Sequence, residues 1–136
     1  MPSVKESIAH GLPEKKVPIL KMVATPAEAN KGGSIFGGWL MAQADIAASI
    51  PAEIFAQGAV VTKAVTQFEF KKRLEIGDLL SFYADIIKVG QTSLTIDVSI
   101  HAQSIRNQKV TSDIAAQGIF VFVAIDEQGK PRKLPS

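Results

Sequence analysis

The sequence predicts an α+β fold in which an antiparallel β-sheet wraps around one long central helix, and three observations predict it. From Phe36 to Ile50 nearly every position is apolar, interrupted by Gln43 and Asp45, which is the pattern of a helix enclosed by protein. Beyond Gly58 the hydrophobic period changes from helical to two, and four strand-length runs follow with short polar turns between them. One further apolar run precedes the helix. The order strand, helix, four strands packs most simply as a helix on one face of a sheet. The 136 residues, 46% hydrophobic and without repeats or linkers, read as a single domain over 1–136, with 1–16 as an N-terminal arm.

The elements follow in order. The start, MPSVKESIAHGLPEKK, is polar and charged, with no apolar core of a signal peptide, and reads as a mobile arm or a packing strap. Pro18 to Ala24 is a first strand bounded by Pro18 and Pro26, and Thr25 to Lys31 a loop. Ser34 stands just before the apolar run as an N-cap. Pro51 falls inside the helical pattern, so a break is expected near Ile50, with Ala52 to Gln57 as a last turn closing at Gly58. Val60 to Phe70 is the next strand, and Gly77-Asp78 turns into another over Leu79 to Val89. Gly90-Gln91 is a tight connection into Thr92 to Gln103, whose Leu94, Ile96, Val98 and Ile100 alternate with polar residues, giving the sheet one wet face. Arg106 to Lys109 is a polar loop. Asp113 to Ile125, apolar on both faces, is a strand covered on both sides, by the helix and by a second subunit; an oligomer is expected. After the Asp126 to Gly129 turn, the basic tail Lys130 to Ser136 reads as irregular.

Composition excludes several classes. Fifteen Lys and Arg against thirteen Asp and Glu give +2, too little to argue for nucleic acid. The longest apolar run is interrupted well short of the roughly 20 residues that span a bilayer. The absence of cysteine removes disulfides and thiolate chemistry and fits a cytoplasmic protein. There is no G-x-S-x-G elbow, H-E-x-x-H motif or phosphate-binding glycine loop. His10 lies in the arm and His101 on the wet face of a strand, so no metal site is expected. No cofactor is expected either.

Asp45 is the residue that asks for an explanation. It shares a helical stripe with Gly38, Met41, Ala42 and Ser49. An ionised carboxylate in apolar surroundings costs several kcal/mol unless partnered, so Asp45 is either a structural group bonded to backbone, or sits at an interface or faces a cleft. Gly32, Gly33, Gly37 and Gly38 lead into the helix. They serve either tight packing of helix on sheet, or close approach of a ligand to the first-turn N–H groups, where a carbonyl oxygen gaining charge could be held.

Asn30, the run GGSIFGGWLMAQAD ending at Asp45, VVT at Val60 to Thr62, IGD at Ile76 to Asp78, VGQTS at Val89 to Ser93 and FVAIDEQGKPRKLP near the end occur in one order and spacing. In these the chain resembles the hotdog-fold acyl-CoA thioesterases, and within them the short bacterial YciA-like enzymes, over nearly all of Ile19 to Pro135. The resemblance implies a hotdog fold, with dimers as active units that assemble into hexamers as trimers of dimers. It implies sites at the dimer interface, with Asp45 as general base or nucleophile and Asn30 supplied by the partner subunit to orient water or substrate. Gly37 and Gly38 would present N–H groups to the thioester oxygen, and Thr62 would line the site. Two departures stand out: Arg73, within KKRL, where the family commonly has proline, and Pro51 in a helix usually continuous.

The expected activity is hydrolysis of acyl-CoA to free acid and CoA, with CoA as part of the substrate. Its phosphates make Lys71, Lys72, Arg73, Arg106 and Lys109 candidate CoA-binding residues. Trp39 is a candidate for lining the acyl pocket, with a place in the core as the plain alternative. Two competing functions are a non-catalytic acyl-CoA-binding protein of the same fold, and a thioesterase acting on acyl carrier protein.

Overall fold

The computed structural model describes residues 3–135. A short helix α1 (Val4–Ile8) precedes β1 (Leu20–Val23); a single 3₁₀ turn at Pro26–Glu28 leads to α2 (Gly37–Ala56), and β2 (Val60–Phe70), β3 (Leu79–Val89), β4 (Ser93–Arg106) and β5 (Lys109–Ala124) complete the chain. The five strands form one antiparallel sheet in the order β1-β3-β4-β5-β2. The sheet curls around α2, as the order of elements predicted.

Small side chains on one face of α2 make this possible. Ala44, Ala47, Ala48, Ala52 and Ala56 have no exposed surface and Leu40 has almost none. A helix faced with alanine lies close to a sheet, and here it meets Phe82, Ile96, Val98, Ile100, Phe120 and Phe122 in one core. The opposite face is open. Ile46 and Ile54 there are 51% and 72% exposed, so a single chain does not enclose the helix on that side.

The expected break at Pro51 does not occur either. Proline removes one N–H, the partner of the Ala47 carbonyl, yet α2 continues for five residues beyond it. Burial of Ala52 and Ala56 against the sheet outweighs that one lost bond. The helix ends at Gln57, in the left-handed conformation (φ 56°), and the Arg132 side chain donates to the Ala56 carbonyl at 2.7 Å. A cation at a helix C-terminus also meets the negative end of its dipole. The tail is irregular, as expected, but tied down over its described residues: Arg132 N–H donates to Ala124 and Leu134 N–H to Gln91.

Two loop expectations change. Arg106 to Lys109 is a hairpin corner: Asn107 and Gln108 have φ of 51° and 62°, as a tight two-residue turn demands, and Arg106 faces Lys109 in register. The last strand thus begins at Lys109 rather than Asp113. The N-terminal arm is a strap, since Gln103 donates to the Ile8 and His10 carbonyls and Lys16 pairs with Asp85 at 2.9 Å. It half-covers the wet face of β4. His101 there lies edge-on to the Tyr83 ring at 5.2 Å, and burial, with Lys16 as a second cause, lowers its proton affinity.

Edge strand β2 is fitted to β5 through Gly118. A Cβ on Gly118 would stand 2.5 Å from the Phe68 ring, which is itself packed edge-on against Phe120. Gly118→Ala should lower stability by about 1–3 kcal/mol, the usual cost of overpacking, with the urea midpoint as readout. An unchanged midpoint would mean that Phe68 has room to move and that this contact does not fix β2.

Candidate active site

Asp45 lies on the open face of α2, half-buried rather than deeply buried, two turns from the helix start. Along its stripe Gly38 and Ala42 are exposed, Asp45 and Ser49 half-buried and Ala52 buried, so Asp45 stands at the edge of the contact with the sheet. One Asp45 oxygen, Oδ1, accepts from Thr62 Oγ1 at 2.7 Å. Thr62 reaches it from β2, where it opposes the inward-facing Phe122 just before a register shift in the strand. Among the described residues no other bond to Asp45 is formed, so Oδ2 is free. Asp45 and Thr62, 17 residues apart in sequence, are the pair of candidates the fold brings into contact.

The start of α2 supplies a different group. Phe36 occupies the N-cap position, no side chain caps the first turn, and no acidic residue lies in it. Ser34, expected as the cap, stands too early in the chain and is turned to Asn30 instead. The two glycines now separate. A Cβ on Gly37 would stand 3.0 Å from the Phe70 ring, whereas one on Gly38 would meet nothing within 4 Å. Gly37 thus serves packing and Gly38 leaves the backbone open.

Asn30 is half-buried in the loop before α2, and all its side-chain bonds lie within that loop. Its Oδ1 accepts from Gly32 N–H at 2.9 Å and Ser34 N–H at 3.3 Å, while its Nδ2 donates to Ser34 Oγ at 2.7 Å. Within one chain it makes no bond to Asp45. Trp39 packs, half-buried, against the core, the plainer of its two expected roles.

The basic candidates divide as well. Lys71, Lys72 and Arg73 line a cleft of about 290 Å³ together with Gly37, Phe70 and Phe36, directly at the helix start. Arg73 spends one N–H on the Gly32 carbonyl at 2.9 Å, and Lys72 pairs with Asp113 at 2.7 Å. Arg106 pairs with Glu75, and Lys109 sits across the hairpin corner; neither lines this cleft. Sequence reasoning missed Ser34 as the partner of Asn30, although an asparagine followed closely by glycines is a signal for a side-chain-to-backbone turn. Among the described residues no group of three or more His, Asp or Glu is placed to hold a metal ion, and no helix is long and apolar enough to cross a membrane.

Comparison with known proteins gives concordant matches. The family description of the Thioesterase superfamily matches residues 32–108. The chain is 36% identical over 130 residues to the acyl-CoA thioester hydrolase YciA of Escherichia coli, covering 95% of this chain and 98% of that one. Its fold superposes on a hexameric hotdog fold thioesterase of Campylobacter jejuni with a TM-score of 0.86 and 31% identity, over 90% of this chain and 93% of that one. It also superposes on an acyl-CoA hydrolase of Staphylococcus aureus solved with butyryl-CoA and CoA, with a TM-score of 0.78 and 33% identity, over 86% of this chain and 70% of that one. That hydrolase has been solved with alanine in place of an asparagine, an aspartate and a threonine. Those positions are separated by the same 15 and 17 residues as Asn30, Asp45 and Thr62.

Gly38→Ala separates packing from ligand approach. With nothing near its Cβ, the substitution should leave the melting temperature unchanged or raise it, by up to about 1 kcal/mol of helix propensity, in a circular dichroism melt. A lowered melting temperature would show that the fold itself needs this glycine.

Proposed function

The chain belongs to the Thioesterase superfamily, has its hotdog fold and is an acyl-CoA thioester hydrolase, and we propose that Asp45 is the group that drives its reaction, as general base or as nucleophile. The observation that carries this is the Asp45 to Thr62 bond: one carboxylate oxygen is held by a hydroxyl while the other stays free on the open face of the helix. Threonine fixes the orientation of the carboxylate, and the free oxygen takes a proton from water or attacks the thioester carbon.

Gly38 stands on the same stripe seven residues before Asp45, about 10 Å of helical rise. The uncapped first turn then stabilises the oxyanion as water adds, through its N–H groups and the positive end of the helix dipole. As the intermediate collapses, the carbon–sulfur bond breaks and the CoA thiolate leaves to be protonated. In the covalent variant Asp45 forms a mixed anhydride, which water then cleaves. Label found in Asp45 after a single turnover in water carrying heavy oxygen would exclude the simple general-base route, because it requires the anhydride.

Asn30 is proposed to enter the site from a partner subunit, since its own chain holds it in a loop with no bond to Asp45. The dimer is then the active unit, and the hexamer a trimer of dimers. The exposed Ile46, Ile54 and Phe55 of α2 and Val61 and Val65 of β2 provide the apolar surface such a partner would cover. Lys71 and Lys72, at the mouth of the cleft beside the helix start, are proposed to meet the CoA phosphates. Arg73 is engaged with Gly32, and Arg106 and Lys109 lie off the cleft, which leaves them weaker ligands. The chain acts as one thioesterase domain in the cytoplasm, CoA enters as substrate, and the residues named supply a base and donors for the reaction without a further cofactor.

The test is free-thiol release from a series of acyl-CoAs, clean here because the chain has no cysteine of its own. Asp45→Ala should lower turnover by roughly 10²-fold or more, with melting temperature and oligomeric size retained. Turnover indifferent to Asp45 would place the chemistry elsewhere, and binding without turnover by the native chain would remove the hydrolytic reading.

A further inference from the structure

The loop that carries Asn30 holds more information than the position of that residue. A primary amide has one acceptor oxygen with two lone pairs and one nitrogen with two protons. Both lone pairs of Asn30 Oδ1 are occupied, by Gly32 N–H at 2.9 Å and Ser34 N–H at 3.3 Å. One of the two protons on Nδ2 is given to Ser34 Oγ at 2.7 Å, the shortest of the three bonds. A single N–H remains. Whatever Asn30 meets outside its own loop, it can offer only one donor and no acceptor.

The loop itself is fixed. Asn30 N–H donates to the Ser34 carbonyl at 2.8 Å and Gly33 N–H to the Asn30 carbonyl at 3.0 Å, so residues 30–34 close a compact turn. Ile35 N–H donates to Leu74 at 2.9 Å, Ser34 bridges Glu75, and Arg73 holds the Gly32 carbonyl, which ties this turn to the segment after β2. Against so rigid a frame the free torsion is that of the amide about its last bond. Rotating it by half a turn would set Nδ2 against two N–H donors and Oδ1 against the Ser34 hydroxyl.

From this geometry we propose that Ser34 is a positioning residue: its hydroxyl accepts from Asn30 Nδ2 and holds the amide so that its one remaining N–H points out of the loop as a donor. Toward a thioester this suits the carbonyl oxygen as it gains charge, or the oxygen of the attacking water. It does not suit accepting a proton from that water, which is left to Asp45. The inference rests on the reading above that Asn30 serves the reaction. The effect of Ser34 is felt through Asn30 and not by touching the substrate.

A double-mutant cycle of Ser34→Ala and Asn30→Ala, read by steady-state thiol release on one good acyl-CoA, tests this. Ser34→Ala should lower kcat about three- to tenfold, the worth of one neutral hydrogen bond, with KM nearly unchanged. Ser34→Thr, which keeps the hydroxyl, should restore kcat to within about twofold of the native value. In the Asn30→Ala background, removing the Ser34 hydroxyl should have no further effect. A full additive loss there, or a native kcat in Ser34→Ala while Asn30→Ala is impaired, would overturn the role of Ser34 and leave that of Asn30 standing. Full activity in Asn30→Ala would remove the reading beneath it as well. Asn30→Asp keeps the acceptor and loses the donor: it should be as impaired as Asn30→Ala, and near-native turnover would show that Asn30 works as an acceptor, against the proposal.

Discussion

The alanine face of α2 against the inner face of the sheet is the contact on which the rest of the molecule depends. Ala44, Ala47, Ala48, Ala52 and Ala56 bring the helix axis close enough for Phe82, Phe120 and Phe122 to close around it. Larger residues there would push the helix outward and open the core, at several kcal/mol for a mismatch of that size. The same contact decides what happens on the other side. With the alanines turned to the sheet, Gly38 and Ala42 are left exposed and Asp45 stands half-buried at the margin of that contact, bonded to Thr62.

That orientation leaves a surface which is wrong for an isolated chain. Ile46, Ile54 and Phe55 on the helix, and Val61 and Val65 on the neighbouring edge strand, form a set of large apolar side chains in the open. Edge strand β2 also carries unpaired backbone groups along its free side, a standing invitation to pair with another chain. Thr62 lies in this same strand. Exposed apolar residues and the threonine bonded to Asp45 thus share one strand, and the position of that strand is set by the space Gly118 leaves for Phe68.

Much of the fold was legible in the sequence, because it rests on period and size. The change from helical to alternating pattern at Gly58, and the alternation of β4, are direct consequences of which side chains face the core. What could not be read were outcomes of competition between local and tertiary terms. Pro51 should end a helix by local rules, and buried Ala52 and Ala56 keep it going. Arg132 looked like part of a loose basic tail, and it caps α2 because the chain returns past Ala56. Asp45 and Thr62 could be singled out as candidates from the sequence, but not their contact or packing: helical spacing gives the stripe without saying that Thr62 reaches Asp45 from β2. Nor could Ser34 be assigned, since a serine before a helix is a cap by prior, and only the closed turn at 30–34 turns it toward Asn30.

The basic residues show how the same site divides its labour. A positive group near an anion-binding helix start could act by binding substrate or by fixing the frame, and sequence offers no way to choose. Here the partners choose. Arg73 is planar and offers several N–H groups, one of which holds the Gly32 carbonyl and with it the turn that carries Asn30. Lys71 and Lys72 are point charges on flexible stems, and Lys72 is engaged with Asp113 at 2.7 Å. An exposed pair of that kind is worth at most about 1 kcal/mol, so it fixes Lys72 only weakly. Arg73 thus acts on the frame through geometry rather than charge: it stiffens the segment after β2 by tying it to the loop across the cleft.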